Sequence, residues 1–236
     1  MKRRTMLVAG VVTMCLLSCG DDKVLQSTIF DDKQIEWPRD TQTAVVQVTN
    51  PTTGRIWMDR NLGASRAATS STDSQAYGDL YQWGRPADGH QNRNSPTSST
   101  LSRTDQPGHR SFILNPIEFG SDWRITQNDN LWQGVYGINN PCPAGYRLPT
   151  ESEWNAERNS WSSYNAAGAF ASPLKLPVAG DRSSSSGSLF SVGSGGSYWS
   201  STPSGSHARI LSFGSSYALP FGGDVARGLS VRCIKD

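Results

Sequence analysis

Two registers of apolar and polar positions alternate along the chain. Ala44 to Val48 and Arg55 to Asp59 alternate with period two around Asn50-Pro-Thr-Thr-Gly54, which predicts two strands and a hairpin turn of open type. Thr72-Asp-Ser-Gln75 has the form of a capping box, and Tyr77, Leu80, Tyr81 and Gly84 follow at helical spacing, predicting a short helix. A second start is Pro149-Thr150-Glu-Ser-Glu153, where Thr150 can accept from the amide of Glu153 and Glu153 can reach back. Two acids in that first turn suit the helix dipole, and Trp154, Arg158 and Trp161 share one face as far as about Ser162. Residues 90–110, broken by Pro96 and Pro107, read as a long loop. Leu174, Leu176 and Val178 then alternate, followed by short strands at Ser197 to Ser201, Arg209 to Phe213 and Leu229 to Ile234. Flexible turns at Ser183 to Gly187 and Gly193 to Gly196 separate them. The predicted class is α+β, with two short helices, antiparallel hairpins and long polar loops.

Composition narrows the partners. The 236 residues carry 22 Lys+Arg against 20 Asp+Glu, a net charge of +2, which provides no basic field for nucleic acid. Apolar residues are only 36%, but eight Trp, seven Tyr and seven Phe supply large side chains for a core. At the N-terminus Lys2, Arg3 and Arg4 precede an apolar run from Met6 to Leu17 and then Ser18, the form of an export signal. Such a run spans roughly 18 Å as a helix, short of the ~30 Å hydrocarbon thickness.

Leu16-Leu17-Ser18-Cys19 resembles the lipobox of bacterial lipoproteins, which implies that Cys19 is lipidated and becomes the new N-terminus; an ordinary secretory signal fits the same residues. The acids of Gly20-Asp21-Asp22-Lys23 resemble surface-export signals, though a solvated tether explains them equally. With Cys15 in the signal and Cys19 lipidated, Cys142 and Cys233 remain, either paired as a disulfide or as two buried thiols.

Further blocks carry a wider resemblance. They are Gly54-Arg-Ile-Trp-Met-Asp-Arg-Asn-Leu-Gly63, Tyr77-Gly-Asp-Leu-Tyr-Gln-Trp-Gly-Arg85 and Asp88-Gly-His90. Asn140-Pro-Cys-Pro-Ala-Gly-Tyr-Arg-Leu-Pro-Thr-Glu-Ser-Glu-Trp154, Tyr198-Trp-Ser-Ser-Thr202 and Ser230-Val-Arg-Cys-Ile-Lys-Asp236 follow in order. Together they resemble the Fibrobacter succinogenes major paralogous domain (FISUMP) family. The resemblance implies a C-type-lectin-like fold, distantly shared with sulfatase-modifying-factor domains, in an exported and often lipid-anchored protein. The organisation expected is a signal peptide at 1–18, a lipidated N-terminus and tether at 19–42, and one domain at 43–236.

Chemistry is sparse. Arg147 to Trp154 is similar to a helix-opening motif of formylglycine-generating oxidases, but those bind copper through a cysteine pair that Cys142 and Cys233 do not reproduce. His90, His109 and His207 are scattered outside any metalloprotease spacing, and no Gly-x-Ser-x-Gly turn marks a nucleophile. The Glu-Pro-Asn, Gln-Pro-Asp and Trp-Asn-Asp triplets of calcium-dependent lectins are missing, and Asn128-Asp-Asn130 makes at best part of a calcium shell. The expectation is therefore a non-catalytic recognition module without cofactor or metal. Its aromatic faces would stack on sugar rings, and the candidate ligand residues are Trp83, Asp88, His90 and Asn92. Against this stands a core role for each Trp and a plain loop turn at Asp88-Gly-His90.

Expected partners are the membrane, through the lipid, and a glycan or surface protein, with no nucleic acid. The expected location is the cell envelope, on the outer membrane and facing outward or inward. The main alternative is a tip or accessory subunit of a surface appendage, and a formylglycine-generating-like oxidase is a lesser one. Replacing Cys19 by Ser is expected to abolish incorporation of radiolabelled palmitate; unchanged labelling would place the anchor elsewhere.

Overall fold

The computed structural model describes residues 43–117 and 120–236. The signal segment 1–18, Cys19 and the tether 19–42 lie outside the described residues. The elements run β1 (Gln47–Thr49), β2 (Ile56–Met58), β3 (Tyr81–Gln82), β4 (Thr97–Ser98), β5 (Phe112–Ile113), β6 (Tyr146–Arg147), α1 (Glu151–Asn159) and α2 (Ala166–Ala171). They continue with β7 (Asp181–Arg182), β8 (Leu189–Phe190), β9 (Gly196–Ser204), β10 (His207–Phe213), β11 (Ala218–Asp224), β12 (Gly228–Leu229) and β13 (Ile234–Lys235). The class is α+β, strands predominating.

The first hairpin forms as its sequence predicts. Gln47 faces Met58 and Thr49 faces Ile56. Asn50 Oδ1 accepts from the Thr52 amide at 2.9 Å, and Gly54 takes the positive φ of 68° that closes the turn. The Asn50 side chain is buried and donates to Glu157 at 2.6 Å and Ser160 at 2.8 Å, tying the turn to the end of α1.

Helix α1 begins with the expected box: Thr150 Oγ1 accepts from the Glu153 amide at 3.2 Å, and Glu153 Oε2 accepts from the Thr150 amide at 2.9 Å. Arg147 and Arg55 both donate to Glu153, so the box is braced from outside the helix. Trp154 and Trp161 turn inward, while the Arg158 guanidinium lies over the Tyr164 ring.

Elsewhere the tertiary structure overrides the local pattern. No helix occupies 72–84. Asp73, not Thr72, caps a single 3-10 turn at Ser74–Ala76. Gly78 then takes φ 67°, where a Cβ would lie 2.3 Å from the Leu62 carbonyl oxygen, so the chain leaves the turn before a helix can propagate. Tyr81 and Gln82 pair instead with Leu229 and Gly228. The second helix is α2, capped by Asn165, whose Oδ1 accepts from Gly168 at 3.1 Å. Leu174, Leu176 and Val178 are buried as the alternation implies, yet they belong to no strand, and Lys175 between them has φ 47°. The strand expected over Leu229 to Ile234 divides: β12 joins β3 and β7, and β13 joins β2 and β6.

The sheet β11-β10-β9 divides the interior. One face carries Trp199, Ala208 and Ile210 into a core with Trp83, Trp123 and Trp132. The other carries Tyr198, Leu211 and Phe213 into a core with Trp154, Trp161, Leu174 and Leu176. Between β12 and β13, Arg232 is buried and donates to Asn61 Oδ1 at 2.9 Å, Leu174 O at 2.8 Å and Met58 O at 3.2 Å. Burial pushes its pKa down to about 10, which leaves the guanidinium charged at neutral pH. Cys142 and Cys233 are joined as a disulfide across 91 residues, which settles the choice between paired and free thiols. Closing a loop of that length restricts the unfolded chain by up to ~4–5 kcal/mol.

Replacing Thr150 by Ala is expected to cost about 1 kcal/mol through loss of the cap. The urea midpoint reads it directly: it should fall with unchanged slope, and an unmoved midpoint would contradict the role given to the box.

Candidate functional site

The four candidate ligand residues divide between the interior and its edge. Trp83 is buried, and its indole donates to the Ser200 carbonyl at 2.9 Å. Asp88 and His90 are also buried, 2.6 Å apart through Oδ1 and Nδ1, and the second Asp88 oxygen accepts from Arg85 at 2.6 Å. His90 Nε2 accepts the Gln82 amide proton at 3.0 Å, so the proton of the neutral ring resides on Nδ1. Gln82 in turn holds the Ile113 and Ala226 carbonyls, and Arg85 holds those of Ser111 and His109. Asn92 is half-buried and donates to the Gly89 carbonyl at 3.3 Å.

This network pins the 82–90 loop against 109–113 and 226. Burial drives His90 down to about 4, with Arg85 assisting and Asp88 opposing. Burial pushes Asp88 upward, but His90 and Arg85 outweigh it and hold the carboxyl at about 2. A neutral imidazole between a carboxylate and a backbone amide has both nitrogens engaged within the fold. Arg85, three residues ahead of Asp88, was the sequence signal for an internal ion pair at this turn.

An open cleft of about 500 Å³ lies elsewhere, at the free edge of the sheet β3-β12-β7-β8. Phe190 on β8 presents its ring there with 53% of the residue exposed, opposite Ile117 at 60%. Asp181 on β7 faces Phe190 across the β7-β8 pair. Its carboxylate is bonded to Arg227, which follows β11. Asp224, at the end of β11, accepts from the Gly120 amide at 3.0 Å and lies 3.3 Å from His207 Nε2. Ser183, Ser184 and Ser185, in the β7-β8 turn, complete a wall of hydroxyl and backbone groups. An apolar ring face beside fixed polar groups on an open surface can hold a polyhydroxylated ring, which offers C–H groups to the aromatic and hydroxyls to the wall.

Ser206 Oγ lies 3.2 Å from His207 Nδ1, so Ser206, His207 and Asp224 follow one another in the order used by serine hydrolases. Ser206 and His207 are chain neighbours at a hairpin tip, and of the three only Asp224 lines the cleft. The arrangement is a local turn contact and gives no nucleophile facing a substrate-sized space. Among the described residues no group of three His, Cys, Asp or Glu side chains comes together to hold a metal ion.

A second aromatic stands apart. Tyr136 is 98% exposed at the tip of a loop whose stems, Trp132 and Asn139, both have positive φ, 62° and 61°. The Trp132 indole donates to the Asn139 carbonyl at 2.8 Å, and Asn140 donates to the Val135 and Tyr146 carbonyls. The strained stems and these bonds fix the loop backbone, and the Tyr136 ring stands in solvent.

Comparison of the chain with protein-family models, with curated proteins and with solved structures found no match.

The buried imidazole makes stability depend on pH with a definite sign. The unfolded chain protonates His90 near 6.5, the folded one near 4. Between those values the unfolded state binds more protons, so the stabilisation is complete above 6.5 and is lost as pH falls toward 4. The loss is on the order of 3 kcal/mol. Urea unfolding at a series of pH values should show this slope in the wild type and a shallower one in His90→Gln, where His109, also lowered by burial, keeps a part; equal slopes would contradict a buried neutral His90.

Proposed function

We propose that the chain is a non-catalytic recognition module of an envelope lipoprotein and that it binds carbohydrate in the Phe190 cleft without calcium. The observation that carries this reading is the half-exposed Phe190 ring beside Asp181, Arg227, Asp224 and the Ser183–Ser185 turn. An exposed ring face beside fixed polar groups offers a stacking surface, and on this wall the partner that fits is a sugar ring. The α+β make-up, two short helices, antiparallel strands and long polar loops support the C-type-lectin-like fold that the FISUMP-like motif blocks imply. In the same reading Cys19 carries the lipid, the module stands on the outer membrane facing outward, and residues 20–42 form the tether.

A second reading, a tip or accessory subunit of a surface appendage, draws on one different observation. The loop carrying Tyr136 resembles a docking element in that its backbone is already ordered, so contact with another protein costs little loop entropy.

The two readings separate experimentally. On a glycan array probed with the full chain, Phe190→Ala is expected to weaken binding about tenfold or more, close to 1.4 kcal/mol, while Tyr136→Ala leaves it unchanged. Loss of filament co-purification in Tyr136→Ala, with no glycan bound by the wild type, would replace the first reading by the second.

A further inference from the structure

The charge arrangement of the cleft assigns the class of sugar. Three ionisable side chains line it: Asp181, Asp224 and Arg227. The single cation is bonded to Asp181, a residue that is itself buried at the base of the β7-β8 pair. Arg227 is therefore already balanced by a carboxylate while its remaining N–H groups still face the cleft. Asp224 is fixed by the Gly120 amide and is not paired with Arg227. Arg182, next to Asp181 on β7, points into the fold, where it donates to Ser95, Asn92 and Gly187. Two acids against one base leave the lining one charge negative.

We infer, resting on the glycan reading of this cleft, that the Asp181–Arg227 pair makes the site select uncharged sugars and reject uronic acids. An acidic sugar stacked on Phe190 would bring its carboxylate against Asp224 and find the one guanidinium already neutralised. A neutral sugar meets no such repulsion. Its hydroxyls can donate to Asp224 and accept from Arg227, whose Nη2 alone is taken by Asp181. Rejection here comes from a built-in repulsive group rather than from a missing contact. Asp181 acts through Arg227 and is a positioning residue in this scheme.

The test is a panel of matched oligosaccharides of one linkage, in pairs differing only in a hydroxymethyl or a carboxylate: gluco- and glucurono-, manno- and mannurono-, galacto- and galacturono-. Titration of the full chain is run at one fixed pH and ionic strength for every pair. For the pair that binds, the neutral member should bind at least about tenfold tighter. Asp181→Asn releases the guanidinium and brings the lining to neutrality, so the uronate should gain about tenfold and the preference should narrow or invert. Arg227→Gln should weaken the neutral member with no gain for the uronate. Equal or stronger uronate binding by the wild type overturns the inference and leaves glycan recognition standing. Binding of no oligosaccharide, neutral or acidic, overturns both. If Asp181→Asn fails to fold, judged by circular dichroism, the wild-type pairs alone decide.

Discussion

Backbone polar groups in a buried loop must find partners, and in this chain tryptophan indoles supply many of them. Trp83 donates to Ser200 O, Trp123 to Trp83 O, Trp132 to Asn139 O, Trp154 to Trp199 O and Trp199 to Tyr81 O, while Trp161 donates to the Glu157 carboxylate. Four of these bonds form two chains of two, Trp123 to Trp83 to Ser200 and Trp154 to Trp199 to Tyr81, which join residues 81–83, the loop at 123 and helix α1 to strand β9. Each indole therefore acts twice. Its rings fill one of the two cores that flank β11-β10-β9, and its N–H bonds a carbonyl or, for Trp161, the Glu157 carboxylate. A buried ring of this size contributes ~1.5–3 kcal/mol or more, and each bond adds about 1 kcal/mol. A chain with few aliphatic residues can in this way hold long polar segments in one conformation.

The same economy explains why the polar knots are internal. Asp88 and His90 lock a loop against Arg85 and Gln82, and Arg232 gathers the Leu174 and Met58 carbonyls where the chain crosses from β12 to β13. Broken singly, such groups would leave a buried charge or donor without its partner. Complete, they specify one arrangement. Large side chains that the core does not use stay in solvent, among them Phe190 on a sheet edge and Tyr136 on a fixed loop.

How legible this was depended on whether the determining contact was local. The Thr150–Glu153 box lies within four residues, and α1 begins where the sequence places it. The Asn50-to-Gly54 turn closes on its own Asx contact and was equally readable, and the Cys142–Cys233 bond is one of the two readings the sequence left open. By contrast, Tyr77, Leu80, Tyr81 and Gly84 have helical spacing because both sides of that segment are buried, and the left-handed Gly78 against Leu62 O decides the backbone. Strand β11 contains Pro220, Gly222 and Gly223, poor strand formers that persist because the pairing with β10 is made along the whole strand and its other side is an edge. The site was half legible. Trp83, named from the sequence as a stacking face, is claimed by the core, while Phe190, which the sequence reading did not name, is exposed beside the cleft. The available signal for Phe190 was its setting, Ser-Gly-Ser-Leu-Phe-Ser, where small polar neighbours provide no cover for a ring.

The dependence of the fold on indole-to-carbonyl bonds is tested most directly by hydrogen exchange of the indole N–H protons, followed by NMR in the oxidised protein. The account predicts that Trp83, Trp123, Trp132, Trp154, Trp161 and Trp199 exchange only through global unfolding, with rates that rise with urea in parallel with one another. Exchange of these six protons at the rate of free tryptophan, while the backbone amides of β9 and β10 stay protected, would show that the strands stand without the indoles and would contradict it.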